Sequence, residues 1–302
     1  MVKENIKRKG WLSLLLLFTL LLGAGASYFF YSQQSTDSYS IDKVLSYEFV
    51  ISNKSADFIK NAMFKAYAPV RQNAYQKVIE LTANHDFKLK EDSYGNQLMI
   101  FQISELVPYS QKIISVRANI QFSESPNVYQ VGEASTYIGS EKYIETNEEK
   151  LQKAAEAFKE YSSINELAPS IKNWVYKYLQ YSGYVKEDKG ALFALEKQVG
   201  DCTEFMYLAL ALLRLNNIPA RGVVGVKFKT QSTVLADALL HNWVEYQSDN
   251  ERWSMMDPQM GLMDEDASQY VVFRVLGMQE GFSLSNTHRF SAFDNRLLVT
   301  LR

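Results

Sequence analysis

Cys202 is the only cysteine in 302 residues. It sits in Gly200-Asp201-Cys202-Thr203-Glu204, and the run after it, FMYLALALLRL, is apolar nearly all the way round, as in a helix buried in a core. Asp201 can cap that helix, and Glu204, three residues on, can reach back to complete a capping box. Cys202 then lies in the first turn, where the helix dipole and unpaired N–H groups favour a thiolate. Asn216-Asn217-Ile218-Pro219 stops the helix. Alone, Cys202 reads equally well as a small buried apolar residue. A thiol becomes a good nucleophile when a histidine takes its proton and a third group orients that histidine. His241 and Asp257 can supply both roles. HNWVEYQ (241–247) and RWSMMD (252–257) read as the two arms of a hairpin. A three-residue loop Ser248-Asp249-Asn250 puts Gln247 opposite Glu251 and His241 opposite Asp257, with Cβ atoms roughly 4.5–5.5 Å apart. A two-residue loop makes the pair diagonal and still near. Pro258 then ends the strand.

The elements that must carry these residues fall into two sets. From Val44 to about Phe122 the chain has strand character at Ser46–Ile51, Asn61–Ala68, Gln97–Ser104 and Lys112–Phe122, separated by turn signals such as Asp92-Ser93-Tyr94-Gly95-Asn96. This reads as an all-β sandwich over 42–130, in which 71–84 could instead hold a short helix. His85 reads as a surface residue of that region. After Pro126 the pattern turns helical, at Glu148–Tyr161 and Ile164–Leu179. Beyond the cysteine helix, Arg221–Lys229 joins the two hairpin arms as strands, and 270–302 is expected to complete their sheet. Helices first and strands later give an α+β domain with an antiparallel sheet over 140–302.

Composition narrows the partners. The net charge is −2 with no basic block outside the N-terminus, which argues against nucleic acid. Three scattered histidines and one cysteine make no metal cluster, and no Walker sequence or Gly-rich dinucleotide loop is present, so neither metal nor cofactor is expected. Lys3, Lys7, Arg8 and Lys9 lie in a basic flank (1–10) before Trp11–Tyr31, a stretch of 21 essentially uncharged residues that can span a bilayer. Residues 32–41 read as a tether with no Lys or Arg, so the positive-inside rule places the N-terminus in the cytoplasm and the bulk outside. Ala24-Gly25-Ala26 also resembles a cleavage site, which would make the segment a signal peptide and the product secreted. Tyr28, Phe29, Phe30 and Tyr31 prolong the apolar stretch and favour an uncleaved anchor.

The pieces GALFALEKQVGDCTEFMYLALALLRLNNIPARGVVG, HNWVEYQ and WSMMDP, in this order, resemble the transglutaminase-like superfamily within the papain-like cysteine peptidase fold. The likeness covers about 140 to 265. It implies a catalytic Cys202, His241 and Asp257, and an aromatic oxyanion residue for which Tyr181 is the match. Glu204 and Arg221 match as structural residues and Trp243 as cleft packing. Bacterial members often carry a β-sandwich before this core. The expectation is therefore a membrane-anchored, extracytoplasmic thiol enzyme acting on amide or peptide bonds of a protein or peptide substrate, by hydrolysis or acyl transfer to an amine. The other class is a non-catalytic protein- or peptide-binding scaffold that keeps the cleft.

Overall fold

The computed structural model describes residues 38–129, 134–184, 187–236, 239–248, 252–277, 290–292 and 296–302. The basic flank, the Trp11–Tyr31 stretch, most of the tether, and Asp249 and Asn250 of the hairpin loop lie outside the described residues. Among the described residues no helix is long and apolar enough to cross a membrane.

Alternation builds the N-terminal layer. Its strands are β1 (Ile41–Asn53), β2 (Ile59–Ala68), β3 (Gln76–Ala83), β4 (Phe87–Glu91), β5 (Gln97–Leu106) and β6 (Gln111–Phe122). Leu45, Tyr47, Phe49 and Ile51, alternate residues of β1, are all buried. The stretch that could have been a helix, 71–84, forms β3 over most of its length because it pairs antiparallel with β6.

The second half opens with α1 (Glu149–Ala155), α2 (Ile164–Tyr178) and β7 (Gln180–Tyr181). Then come α3 (Ala191–Lys197), β8 (Val199–Gly200) and α4 (Cys202–Leu215). Strands follow: β9 (Ala220–Lys227), β10 (Ser232–Val234), β11 (Leu240–Gln247), β12 (Trp253–Asp257), β13 (Leu262–Met263), β14 (Tyr270–Val275), β15 (Phe290–Ala292) and β16 (Leu297–Leu301). The antiparallel sheet runs β13-β12-β11-β9-β14. Helix α4 packs on it through an apolar core shared with α1, α2 and α3, including Leu208, Leu212, Val224, Val244 and Met256.

The C-terminal expectation needs correction. Residues 270–275 do close this sheet, as β14 beside β9. Strands β15 and β16 instead return to the N-terminal layer, β15 against β2 and β16 against β1. Strand β10 also pairs with β1. One core therefore mixes both halves of the sequence: Val226, Phe228, Leu235, Val271 and Phe273 are buried with Leu45, Tyr47 and Phe64. The 3₁₀ segment after β13 and the strand alternation that follows it could not reveal this, because strand signals do not say which sheet a strand joins.

Candidate active site

Cys202 is the first residue of α4, and the capping box forms as its sequence predicts. Asp201 Oδ1 accepts from the Thr203 N–H at 2.8 Å, and Glu204 Oε2 accepts from the Asp201 N–H at 3.1 Å. Glu204 Oε1 also accepts from the Lys189 N–H at 2.9 Å, so this carboxylate ties the preceding loop to the helix start. Burial pushes its pKa up, opposed by those two N–H donors. Gly200 has to be glycine, because a Cβ there would collide with the Glu204 side chain. Cys202 itself is half-buried with a free thiol.

His241 comes from β11. Its neighbour across β9 is Gly225, where a Cβ would collide with the Val271 carbonyl and the Trp243 ring. The hairpin register differs from the sequence expectation by two residues, with Gln247 opposite Trp253 and Val244 opposite Met256. A two-residue shift keeps every side chain on its face. His241 and Asp257 thus sit diagonally on one face, and His241 Nε2 donates to Asp257 Oδ2 at 2.7 Å. Asp257 is completely buried. Its Oδ1 accepts from the N–H groups of Gln259 (3.1 Å) and Met260 (3.0 Å), supplied by the turn that Pro258 starts. Its Oδ2 also accepts from the Tyr270 hydroxyl at 2.6 Å.

Burial alone would depress the imidazole pKa, but hydrogen bonding to Asp257 and Cys202, and their charges, push it up to about 9. Asp257 shifts the other way. Burial opposes ionisation, yet the hydrogen bond and charge of His241 and the donors around it hold its carboxyl below the ordinary range. Both directions describe an imidazolium–carboxylate pair. With Nε2 committed to Asp257, Nδ1 is the ring nitrogen left for Cys202.

Trp243 is 1% exposed, so it packs behind the site instead of lining an open cleft. Its ring stacks on His241 (centroids 6.2 Å, 23° between planes) and meets Tyr270 edge-on at 5.1 Å. Arg221 lies directly opposite Glu245 across β9 and β11. Its guanidinium bonds Glu245 Oε2 through Nε at 2.8 Å and Nη2 at 2.7 Å, and lies 4.0 Å over the Trp253 ring. Tyr181 pairs through its backbone with Gly200, two residues from Cys202, and its side chain is 55% exposed.

Three contributors went unread in the sequence. Asn242 Nδ2 donates to Thr203 Oγ1 at 2.9 Å, tying the histidine strand to the cysteine helix. Tyr270, thirteen residues after Asp257, gave no signal beyond an apolar strand.

Residues 151–258 match the profile of the transglutaminase-like superfamily. This stretch is a transglutaminase-like domain. A candidate cysteine protease from Cytophaga hutchinsonii shares the fold, at a TM-score of 0.58 and 16% identity over 86% of this chain and 91% of that one. The periplasmic domain of TgpA from Pseudomonas aeruginosa aligns over 69% of this chain and 90% of its own, at 14% identity and a TM-score of 0.35. No curated protein matches by sequence. The matched stretch holds Cys202, His241 and Asp257, and it stops short of Tyr270.

Proposed function

We propose that this protein is a thiol-dependent enzyme acting on an amide or peptide bond, with Cys202 as nucleophile, His241 as acid and base, and Asp257 as the group that orients His241. The observation that carries the reading is the buried His241–Asp257 bond of 2.7 Å, placed beside a cysteine on a capped helix start. The superfamily of residues 151–258 supports it.

In this reading the Cys202 thiolate attacks the carbonyl carbon and a C–S bond forms. The Cys202 backbone N–H, one of the helix-start donors without an intrahelical partner, stabilises the oxyanion. Tyr181, whose backbone pairs with Gly200 just before the helix start, is the aromatic residue assigned in this reading to the same oxygen. As the C–N bond breaks, the His241 imidazolium gives its proton to the leaving amine. Water or a second amine then attacks the acyl-thioester, His241 takes its proton, and the thiolate leaves. Residues after the tether act outside the cytoplasm, held to the membrane by Trp11–Tyr31 or released if that segment is cleaved.

The test is the pH dependence of iodoacetamide labelling of Cys202 in the wild type and in His241→Ala, with casein and a primary-amine probe as substrates. Fast labelling at neutral pH that depends on His241, with turnover lost in Cys202→Ala, is the expected result. Identical profiles, matching free cysteine, would remove the pair and the enzyme reading together.

A further inference from the structure

Tyr270 is 3% exposed and opens β14, on the far side of β9 from the histidine strand. Its hydroxyl donates to the same Asp257 oxygen that accepts from His241. Its ring packs edge-on to Trp243 and lies 6.2 Å from His241. The strand that carries it is gripped from the N-terminal layer. Gln76 Oε1 accepts from the Val272 N–H at 2.7 Å, and Gln76 Nε2 donates back to the Val272 carbonyl at 3.0 Å. Asn96 does the same to Val275, at 2.6 and 2.9 Å. The Val70 N–H adds a bond to the Val272 carbonyl at 2.9 Å.

We propose that Tyr270 is a positioning residue: its hydroxyl, held in place from the N-terminal layer, fixes the carboxylate oxygen that orients His241. The role in catalysis rests on the thiol-enzyme reading above. A buried tyrosine hydroxyl needs some partner, so a purely structural role must be separated from this one. What separates them is the shared oxygen. Each donor to Oδ2 takes up part of the carboxylate charge, so removing the hydroxyl leaves more of it for the imidazolium. The titratable groups packed about the pair are Cys202 from α4 and Lys227 from β9, whose ammonium lies 4.7 Å over the Tyr270 ring. The neighbouring Asp264 is engaged by the Tyr75 hydroxyl and the Met255 N–H.

Tyr270→Phe fills the same space without the hydroxyl. It should fold, lower kcat/KM by roughly ten- to a hundredfold with little change in KM, and move the alkaline limb of the rate profile to higher pH. The decisive measurement needs no substrate. With His85 and His288 replaced by Gln, NMR follows the His241 ring alone, and its midpoint should rise in Tyr270→Phe. Incorporating 3-fluorotyrosine at 270 keeps the shape but strengthens the donor, and should lower the midpoint. This second variant serves if Tyr270→Phe is unstable. Midpoints equal to wild type in both would overturn the proposal, even with the enzyme reading intact. Absence of turnover in the wild type would sink the enzyme reading and leave the midpoint test standing.

Discussion

Asp257→Asn is the sharpest test of the site, because the geometry says which way the new amide must face. Four donors converge on the Asp257 carboxylate: the Gln259 and Met260 N–H groups on Oδ1, and His241 and Tyr270 on Oδ2. An asparagine offers one oxygen and one NH₂ group. If the NH₂ replaces Oδ1, two backbone donors face a donor, and each unsatisfied buried group costs about 1–3 kcal/mol. If it replaces Oδ2, the Tyr270 hydroxyl can rotate to accept, and His241 can accept through Nε2 once its proton moves to Nδ1. The second arrangement costs less and should win. It leaves Nδ1, the nitrogen facing Cys202, protonated and unable to take the thiol proton. In a serine triad the corresponding change lowers kcat about ten-thousandfold, and a loss of that order is expected here.

Stability carries a second signature. The His241 pKa is about 9 in the folded protein against an ordinary 6.5. At about 1.4 kcal/mol per unit, Asp257 and Cys202 together contribute about 3 kcal/mol, the larger share from Asp257. The folded value is raised, so that contribution is present in full below pH 6.5 and is lost as pH rises through about 9. On the acid side it persists below the ordinary carboxylate range, because the Asp257 pKa is lowered. With about 2 kcal/mol as the Asp257 share, at about 2–4 °C per kcal/mol, Asp257→Asn should melt roughly 4–8 °C below wild type at pH 6, with the gap narrowing towards pH 10. Calorimetry across that range, alongside alkylation and turnover, decides the matter. A gap independent of pH, or turnover within tenfold of wild type, would refute the orientation argument.

Other perturbations follow from the same contacts. Asn242→Ala removes the bond to Thr203 and should lower kcat/KM roughly tenfold; Thr203→Val should do the same and add little to it, as measured by a double-mutant cycle. Arg221→Met strands the buried Glu245 carboxylate and should cost about 3–5 kcal/mol in urea unfolding, most of it recovered in Arg221→Met/Glu245→Leu; a cost under 1 kcal/mol would contradict the buried-pair description. A topology reporter fused after residue 40 should be active only outside the cytoplasm, and activity of a cytoplasm-restricted reporter there would rule out export.

The legible parts of the site are those governed by local rules. Asp201, Cys202 and Glu204 were readable because a capping box is a four-residue local signature. His241 and Asp257 were readable because a hairpin brings its open ends together. The predicted register missed by two residues, yet the pairing survived, since an even shift keeps Asp257 on the face that carries His241. Trp243 came from the resemblance as cleft packing, and its buried ring lies against His241 and Tyr270. Tyr270 and the Asn242–Thr203 bond depend on how β14 and α4 dock, which no local pattern encodes. Strands β15 and β16 failed for the same reason. Their alternation is real, and their partners, β2 and β1, lie more than two hundred residues earlier in the chain.

That long return suggests what the N-terminal layer is for. An exposed edge strand presents unpaired N–H and C=O groups and invites wrong pairing. The outer edge of β14 is covered by Val70 and by two side-chain amides that imitate a neighbouring strand. The face of β14 opposite Tyr270 sends Val271 and Phe273 into the N-terminal core, joined there by Val226, Phe228 and Leu235. Five such side chains, at about 1.5–3 kcal/mol each, amount to roughly 7–15 kcal/mol of burial, as much as the whole stability of an ordinary domain. A fragment of residues 140–302 would expose them all, together with the open β14 edge and strands β10, β15 and β16 without their partners. It should therefore lack a cooperative unfolding transition and a site-specific reactive thiol, even though it contains Cys202, His241, Asp257 and Tyr270. A fragment that unfolds cooperatively and labels at Cys202 as fast as the full chain would show that the site stands without the N-terminal layer.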